Sequence, residues 1–146
     1  MGYCVDITES TFSFNKSKEN EIMECIKDFT KSYKKRLQWI KKDEVLKSTT
    51  ILEIFSNFRL ELEYEEITDT YEIDYMSGEK LGNYELDFYK AIAKYVNDGY
   101  IQYTGEDGET WRYVFKGGEC EEAYPTLSWW WKYLSKIRIL QRVRKD

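Results

Sequence analysis

The sequence has no histidine, one proline and three cysteines in 146 residues, and no run of 18 apolar residues. The absence of histidine excludes a serine or cysteine nucleophile activated by a histidine base. The cysteines stand at positions 4, 25 and 120 without a CxxC spacing, so no zinc site is expected. The short apolar runs predict no membrane span or signal peptide. We expect reduced thiols and a cytoplasmic location.

What the chain does have is aromatic and charged side chains, at 17% and 34% of residues. This composition is typical of a globular protein, because disordered segments contain few aromatics. The order of the predicted elements favours an α+β fold, an antiparallel sheet of about five or six strands packed by about three helices. We expect a single α+β domain over residues 1–131, followed by a basic amphipathic C-terminal helix over residues 132–146.

Residues 100–131 predict an antiparallel meander that carries much of the core. Gly105–Gly108 is a hairpin turn of sequence GEDG, and Gly117-Gly118 makes a second turn. Between these turns Trp111, Tyr113 and Phe115 alternate with other residues, which places them on one face of a strand. An aromatic stripe at this spacing indicates core more often than a ligand platform.

Three amphipathic helices are predicted at the apolar spacing of 3.6 residues. The expected caps are Asn15 or Ser17 for the first helix, Thr50 with Glu53 for the second, and Asn83 for the third. In the connector that precedes the second helix, Trp39 and Ile40 are expected to pack into the core.

The middle of the chain is strongly acidic, with ten carboxylates and one lysine between Glu61 and Asp87. Two alternating segments there predict a hairpin with one apolar and one anionic face. The candidate partner-binding residues on it are Glu61, Glu63, Glu65, Glu66, Asp69, Glu72 and Asp74. Such a face attracts a basic partner surface, although a solvated strand face that discourages aggregation has the same pattern.

The last fifteen residues are basic, with six lysines and arginines against one aspartate. This segment can pack on the domain, pair with a second copy, or lie on RNA or an anionic membrane. The candidate contacts of the basic tail are Lys136, Arg138, Arg142 and Arg144, and the candidate self-association residues are Trp129, Trp130 and Trp131. A homodimer through this C-terminal segment is therefore one expectation.

Metal-dependent catalysis has little support in the sequence. The only run that suggests a nuclease is Asp74 followed by Glu79-Lys80, which has the wrong spacing and lies in a predicted turn. No P-loop or GxGxxG motif occurs in a strand–loop–helix frame. We therefore expect no cofactor, no bound metal and no enzymatic activity.

Three segments together carry a resemblance to other proteins: GEKLG at 78–82, GEDGETWRYVF at 105–115, and Tyr124-Pro125. They resemble small uncharacterised proteins of gut Firmicutes and their mobile elements over most of residues 1–130, but the tail departs from that pattern. The resemblance brings no assigned activity or catalytic residue. By analogy of class, it implies an inhibitor of host defence, such as an anti-CRISPR protein, or a toxin-immunity protein.

Composition and resemblance together favour a non-catalytic, protein-binding inhibitor. Its acidic hairpin would occlude the basic nucleic-acid-binding surface of an effector or nuclease. The alternatives are a toxin-immunity protein, a small metal-dependent nuclease, and a self-associating protein that binds nucleic acid through its basic tail.

Overall fold

A computed structural model describes residues 3–73, 79–80 and 82–125. Within these residues the chain forms eight strands and four α-helices. The strands are β1 (Cys4–Ser10), β2 (Ser13–Asn15), β3 (Leu62–Glu65), β4 (Thr70–Ile73), β5 (Glu79–Lys80), β6 (Gly99–Gly105), β7 (Thr110–Lys116) and β8 (Glu119–Ala123). The helices are α1 (Glu19–Ser32), α2 (Lys42–Lys47), α3 (Ile51–Asn57) and α4 (Glu85–Ile92).

The strands form two antiparallel sheets, which confirms the α+β class. The large sheet has the order β5-β1-β6-β7-β8, and the small sheet has the order β2-β4-β3. The sequence predicts one sheet, whose opening strand spans residues 3–14 with a bend at Glu9-Ser10. The structure divides that segment, with β1 in the large sheet and β2 in the small one.

A short bend between β1 and β2 explains the division. The register of β1 against β6 already shifts between Ile7 and Glu9. The Ser10 hydroxyl then accepts a hydrogen bond from the Phe12 amide at 3.2 Å. Serine side chains that bind the backbone locally compete with the strand ladder in this way. The chain turns at this point, and β2 pairs with β4 instead of continuing along β6.

Aromatic side chains join the large sheet to the helices. Trp111, Tyr113 and Phe115 of β7 are all buried, which confirms the face predicted for them. Ring centroids lie 5.1 Å apart for Tyr113 and Tyr89 of α4, and 5.7 Å apart for Phe115 and Tyr89. α4 in turn packs against α1. Burial of large aromatic side chains is worth roughly 1.5–3 kcal/mol each, so this layer provides much of the stability.

The meander turns follow the prediction. At the first turn the Gly105 amide donates to the Glu109 carbonyl at 2.8 Å, and Gly108 has a φ of +87°. At the second turn, Gly117 and Gly118 have φ values of +60° and +82°. Glycine adopts positive φ values without steric cost, which suits it to both turns.

Of the predicted helix caps, one is present in the structure and the others are not. Thr50 caps α3 as expected, since its hydroxyl accepts from the Glu53 amide at 3.2 Å. The expected caps Asn15, Ser17 and Asn83 are wrong. A 3₁₀ turn over residues 16–18 leads into α1 and no side chain caps it, and α4 begins after Tyr84 without a side-chain cap.

The connector before α3 also differs from the expectation. Trp39 does not pack into the core, since 43% of its surface is exposed. Leu37 is the buried residue instead, at 5% exposure, and Ile40 is half-buried against the core. A loop without regular spacing gives no pattern that distinguishes an inward from an outward side chain.

The buried tyrosine pair offers a test of the core. The hydroxyls of Tyr89 and Tyr103 lie 2.6 Å apart, and burial raises the pKa of both well above its ordinary value. We predict that Tyr89→Phe lowers the free energy of unfolding by about 1–3 kcal/mol, because the Tyr103 hydroxyl is left buried without this partner.

The double variant Tyr89→Phe/Tyr103→Phe should lower the free energy of unfolding by less than the sum of the two single changes, since no unpaired hydroxyl remains. Urea unfolding of the four proteins measures this coupling. Strictly additive costs would contradict the described hydrogen bond.

Candidate functional site

The candidate site is the hairpin of β3 and β4, with the turn at residues 66–69. Leu62 pairs with Ile73, Glu63 with Glu72, and Tyr64 with Tyr71. β2 lies on the other side of β4, with Ser13 opposite Glu72 and Phe14 opposite Tyr71. The small sheet therefore has one face of aromatic and aliphatic side chains and one polar face that carries carboxylates, as the alternation predicts.

The apolar face is held against the core through Phe14. The Phe14 ring lies 5.3 Å from the Tyr71 ring and 5.6 Å from the Phe55 ring of α3, between ring centroids. Phe14 is completely buried, and Tyr71 and Ile73 are 8% and 7% exposed. Since strand side chains alternate, this packing directs the neighbouring glutamates outward.

The outer face, which we define as Glu61, Glu63 and Glu72, is exposed and anionic. Glu63 and Glu72 stand directly opposite each other in the register. Like charges at opposed positions of an antiparallel pair are destabilising. Across the part of the chain that the structure describes, no lysine or arginine forms an ion pair with these three glutamates. The fold therefore leaves this repulsion uncompensated by the described residues.

Two of the candidate carboxylates bind within the turn instead. Asp69, at a φ of +54°, accepts a hydrogen bond from the Tyr64 hydroxyl at 2.6 Å. This hydrogen bond to the carboxylate, more than desolvation, raises the pKa of Tyr64 to about 12. Glu65 accepts from the Ile67 amide at 3.2 Å. Asp69 and Glu65 thus stabilise the turn, whereas Glu66 is an exposed residue of the turn.

The turn also presents an apolar residue that the sequence reasoning missed. Ile67 is 93% exposed at the tip of the hairpin. The sequence signal for this exposure is that Ile67 lies between Glu-Glu and Thr-Asp, in a segment too short to be a strand. A single exposed apolar side chain is ordinary in itself. Beside a charged face, it adds the kind of apolar contact that interface centres use.

Arg112, which the sequence places opposite Trp111 and Tyr113, forms an ion pair on the outside of the large sheet. Its guanidinium lies 3.6 Å from the Glu9 carboxylate and 4.1 Å from the Tyr100 ring centroid. Its Nε donates to Gln102 at 3.0 Å. From the sequence we expect an ion pair of Arg112 with Glu121 or a neighbour, and the structure shows Glu9 as the partner, across the intervening strand β6.

The remaining candidates lie outside the described residues. These are Asp74 of the acidic set, Trp129, Trp130 and Trp131, and the predicted basic C-terminal helix over residues 132–146 with its Lys136, Arg138, Arg142 and Arg144.

The described residues contain neither a metal-binding cluster nor a helix that spans a membrane. Among them, no three histidine, cysteine, aspartate or glutamate side chains form a group that holds a metal ion. None of the helices in those same ranges has the length and apolar character needed to cross a bilayer. None of the three cysteines forms a disulfide, and Cys120 is buried.

Comparisons with protein families, curated proteins and solved structures find no match to this chain. The resemblance in the GEDGETWRYVF segment therefore stays a prediction, and the candidate site stands on its geometry alone.

The opposed glutamates generate a stability prediction. We expect Glu72→Gln to raise the free energy of unfolding by a few tenths to about 1 kcal/mol at low salt, because the repulsion from Glu63 is removed. The gain should shrink at high salt, which screens exposed charges. Urea unfolding at two salt concentrations measures it.

The matched control is Glu121→Gln, an exposed glutamate that stands opposite Val114 in the large sheet. This change should leave stability nearly unaltered. In a protein that already carries Glu72→Gln, the change Glu63→Gln should alter the free energy of unfolding little further, because the repulsion is already removed. Equal effects of Glu72→Gln and Glu121→Gln on the free energy of unfolding would contradict a repulsion specific to the Glu63–Glu72 pair.

Proposed function

We propose that this chain is a non-catalytic, protein-binding inhibitor that occludes a basic nucleic-acid-binding surface with the outer face of its acidic hairpin. The observation that carries the proposal is the Glu63–Glu72 pair, exposed and directly opposed without a basic partner among the described residues. The most specific form of the proposal is an anti-defence protein of the anti-CRISPR kind, from a phage or mobile element, that acts in the cytoplasm on an effector or nuclease.

The repulsion within the hairpin favours a cationic partner. A lysine or arginine placed between Glu63 and Glu72 would be attracted by both carboxylates and would relieve their repulsion. Binding would therefore recover free energy that the isolated fold lacks. Glu61 is two residues from Glu63 along the chain, a spacing of about 6.6–6.8 Å in a strand. Glu61, just before β3, adds a third exposed carboxylate next to the opposed pair in the chain.

The anionic outer face also accelerates association. Summed charges of one sign attract an oppositely charged groove over distances comparable to the Debye length, about 8–10 Å at physiological salt. A groove that normally holds phosphates has the complementary charge. Ile67 at the tip adds apolar contact area, which long-range attraction alone does not provide. The hairpin therefore combines a charged face with an apolar end.

The alternatives differ in what the same protein would do in an assay. A toxin-immunity protein would use an equivalent anionic face against a basic toxin and would protect cells that express the toxin. A small nuclease would cleave nucleic acid by itself with Mg²⁺ or Mn²⁺. A protein that acts through its basic tail would bind nucleic acid directly.

We predict that the protein inhibits DNA cleavage by at least one member of a panel of RNA-guided nucleases. The variant Glu61→Gln/Glu63→Gln/Glu72→Gln should lose that inhibition by about tenfold or more, because the attraction to the basic groove is removed while side-chain shape is kept. Dose–response curves of cleavage inhibition, at low and high salt, give the measurement.

The control is Glu24→Gln/Glu119→Gln/Glu121→Gln, which removes the same charge from exposed positions on α1 and β8. It should inhibit as the unchanged protein does. Equal loss in both triple variants would indicate a net-charge effect and not the hairpin face. Cleavage by the isolated protein with a divalent metal would overturn the non-catalytic proposal.

A further inference from the structure

A second surface of opposite charge lies in the loop between α1 and α2. α1 ends at Ser32, and its backbone turns to extended geometry at Tyr33. Leu37 fixes the middle of the following loop to the core, at 5% exposure. Two residues later, Trp39 is turned outward and is 43% exposed. The loop thus carries a large indole on its solvent side while an aliphatic side chain holds it in place.

Basic side chains surround this indole. Trp39 lies in an open concavity of about 600 Å³, whose charged lining residues are Arg36, Lys41, Lys42 and Arg59. No carboxylate is among the lining residues that the structure describes. The Arg59 guanidinium carbon is 5.7 Å from the centroid of the Trp39 ring. Four cations thus line one concavity together with a partly exposed indole, and the concavity has the size that small ligands occupy.

The backbone at this concavity is held in an unusual conformation. Trp39 has a φ of +66° and Arg59 a φ of +63°. Bulky side chains rarely adopt the left-handed region, which costs free energy unless the surroundings impose it. Of the three non-glycine residues with positive φ in the described ranges, these two line the same cavity. The fold therefore maintains strain on both sides of the site, which is a common property of ligand-binding residues.

We propose that this concavity binds single-stranded nucleic acid. One base stacks on the Trp39 indole, and the flanking phosphates contact Arg36, Lys41, Lys42 and Arg59. A positively charged groove with an exposed aromatic residue is the general design of single-strand binding, because every base has a π face that stacks without sequence preference. Arginine also stacks on planar groups and binds phosphate with two donors.

The stacking residue favours a single strand over other anions. In duplex DNA the bases are stacked on each other, so their faces are closed to the indole. An acidic peptide has carboxylates for the cations but no regularly repeated ring for Trp39. This proposal uses none of the outer-face glutamates, so it stands or fails independently of the proposed inhibitory function.

The test is fluorescence anisotropy of a fluorescein-labelled oligothymidylate of about twelve nucleotides, titrated with the full chain over a range of salt concentrations. Trp39→Leu should weaken binding by about fivefold or more, since base–aromatic stacking contributes substantially per base. Lys41→Gln/Lys42→Gln should reduce the slope of log Kd against log salt concentration by about 1.4, if each lysine neutralises one phosphate. A duplex with the same number of nucleotides should bind more weakly.

The matched control is Lys90→Gln/Lys116→Gln, which removes two exposed lysines from α4 and β7. Its salt slope should equal that of the unchanged protein. The urea midpoint of each variant is measured alongside, and the two independent pocket variants keep the test decisive if one of them unfolds.

The proposal is overturned if both pocket variants bind as the control does. It is also overturned if only Arg142→Gln/Arg144→Gln in the basic tail reduces the slope, because the tail then accounts for all binding. Equal affinity for single strand and duplex, with no effect of Trp39→Leu, would indicate charge attraction without stacking and would contradict it as well.

Discussion

The packing of Phe12, in the bend between β1 and β2, and of Phe14, in β2, is the constraint on which the rest of the structure depends. The Phe12 ring lies 5.3 Å from Phe115 of the large sheet, between ring centroids. The Phe14 ring lies against Phe55 and Tyr71, which belong to α3 and the small sheet. Two nearly adjacent residues therefore join both sheets and the helices into one core.

This arrangement determines where the charges lie. Once Phe14 fixes the inner face of the small sheet, the period of two directs Glu63 and Glu72 to the outer face. Arg59, in the left-handed region just before β3, belongs to the basic concavity beside Trp39. An anionic and a cationic surface thus follow one another in the chain within a few residues. The two proposals assign them different ligands, a basic protein groove and a single strand of nucleic acid.

Regular spacing made part of this architecture predictable. The alternation of Trp111, Tyr113 and Phe115 identifies a buried strand face, and the Thr50–Glu53 pattern identifies a helix start. The hairpin alternation likewise predicts an outward acidic face. These predictions rest on short-range geometry that the backbone imposes wherever the element forms.

Other features depend on contacts that no local pattern records. The bend at Glu9-Ser10 is expected from the sequence, but the separation into two sheets depends on strand partners that are distant in sequence. The exposure of Trp39 depends on Leu37 occupying the core position. Within the acidic set, the binding of Asp69 to Tyr64 follows from the turn geometry, so composition alone does not distinguish it from the outward Glu63.

The most direct test of the central claim is carboxylate footprinting by carbodiimide labelling and mass spectrometry, on the protein alone and in complex with a nuclease that it inhibits. The account predicts that Glu61, Glu63 and Glu72 lose labelling in the complex, while Glu24, Glu119 and Glu121 keep it. Unchanged labelling of the three outer-face glutamates in a fully formed complex would contradict the account.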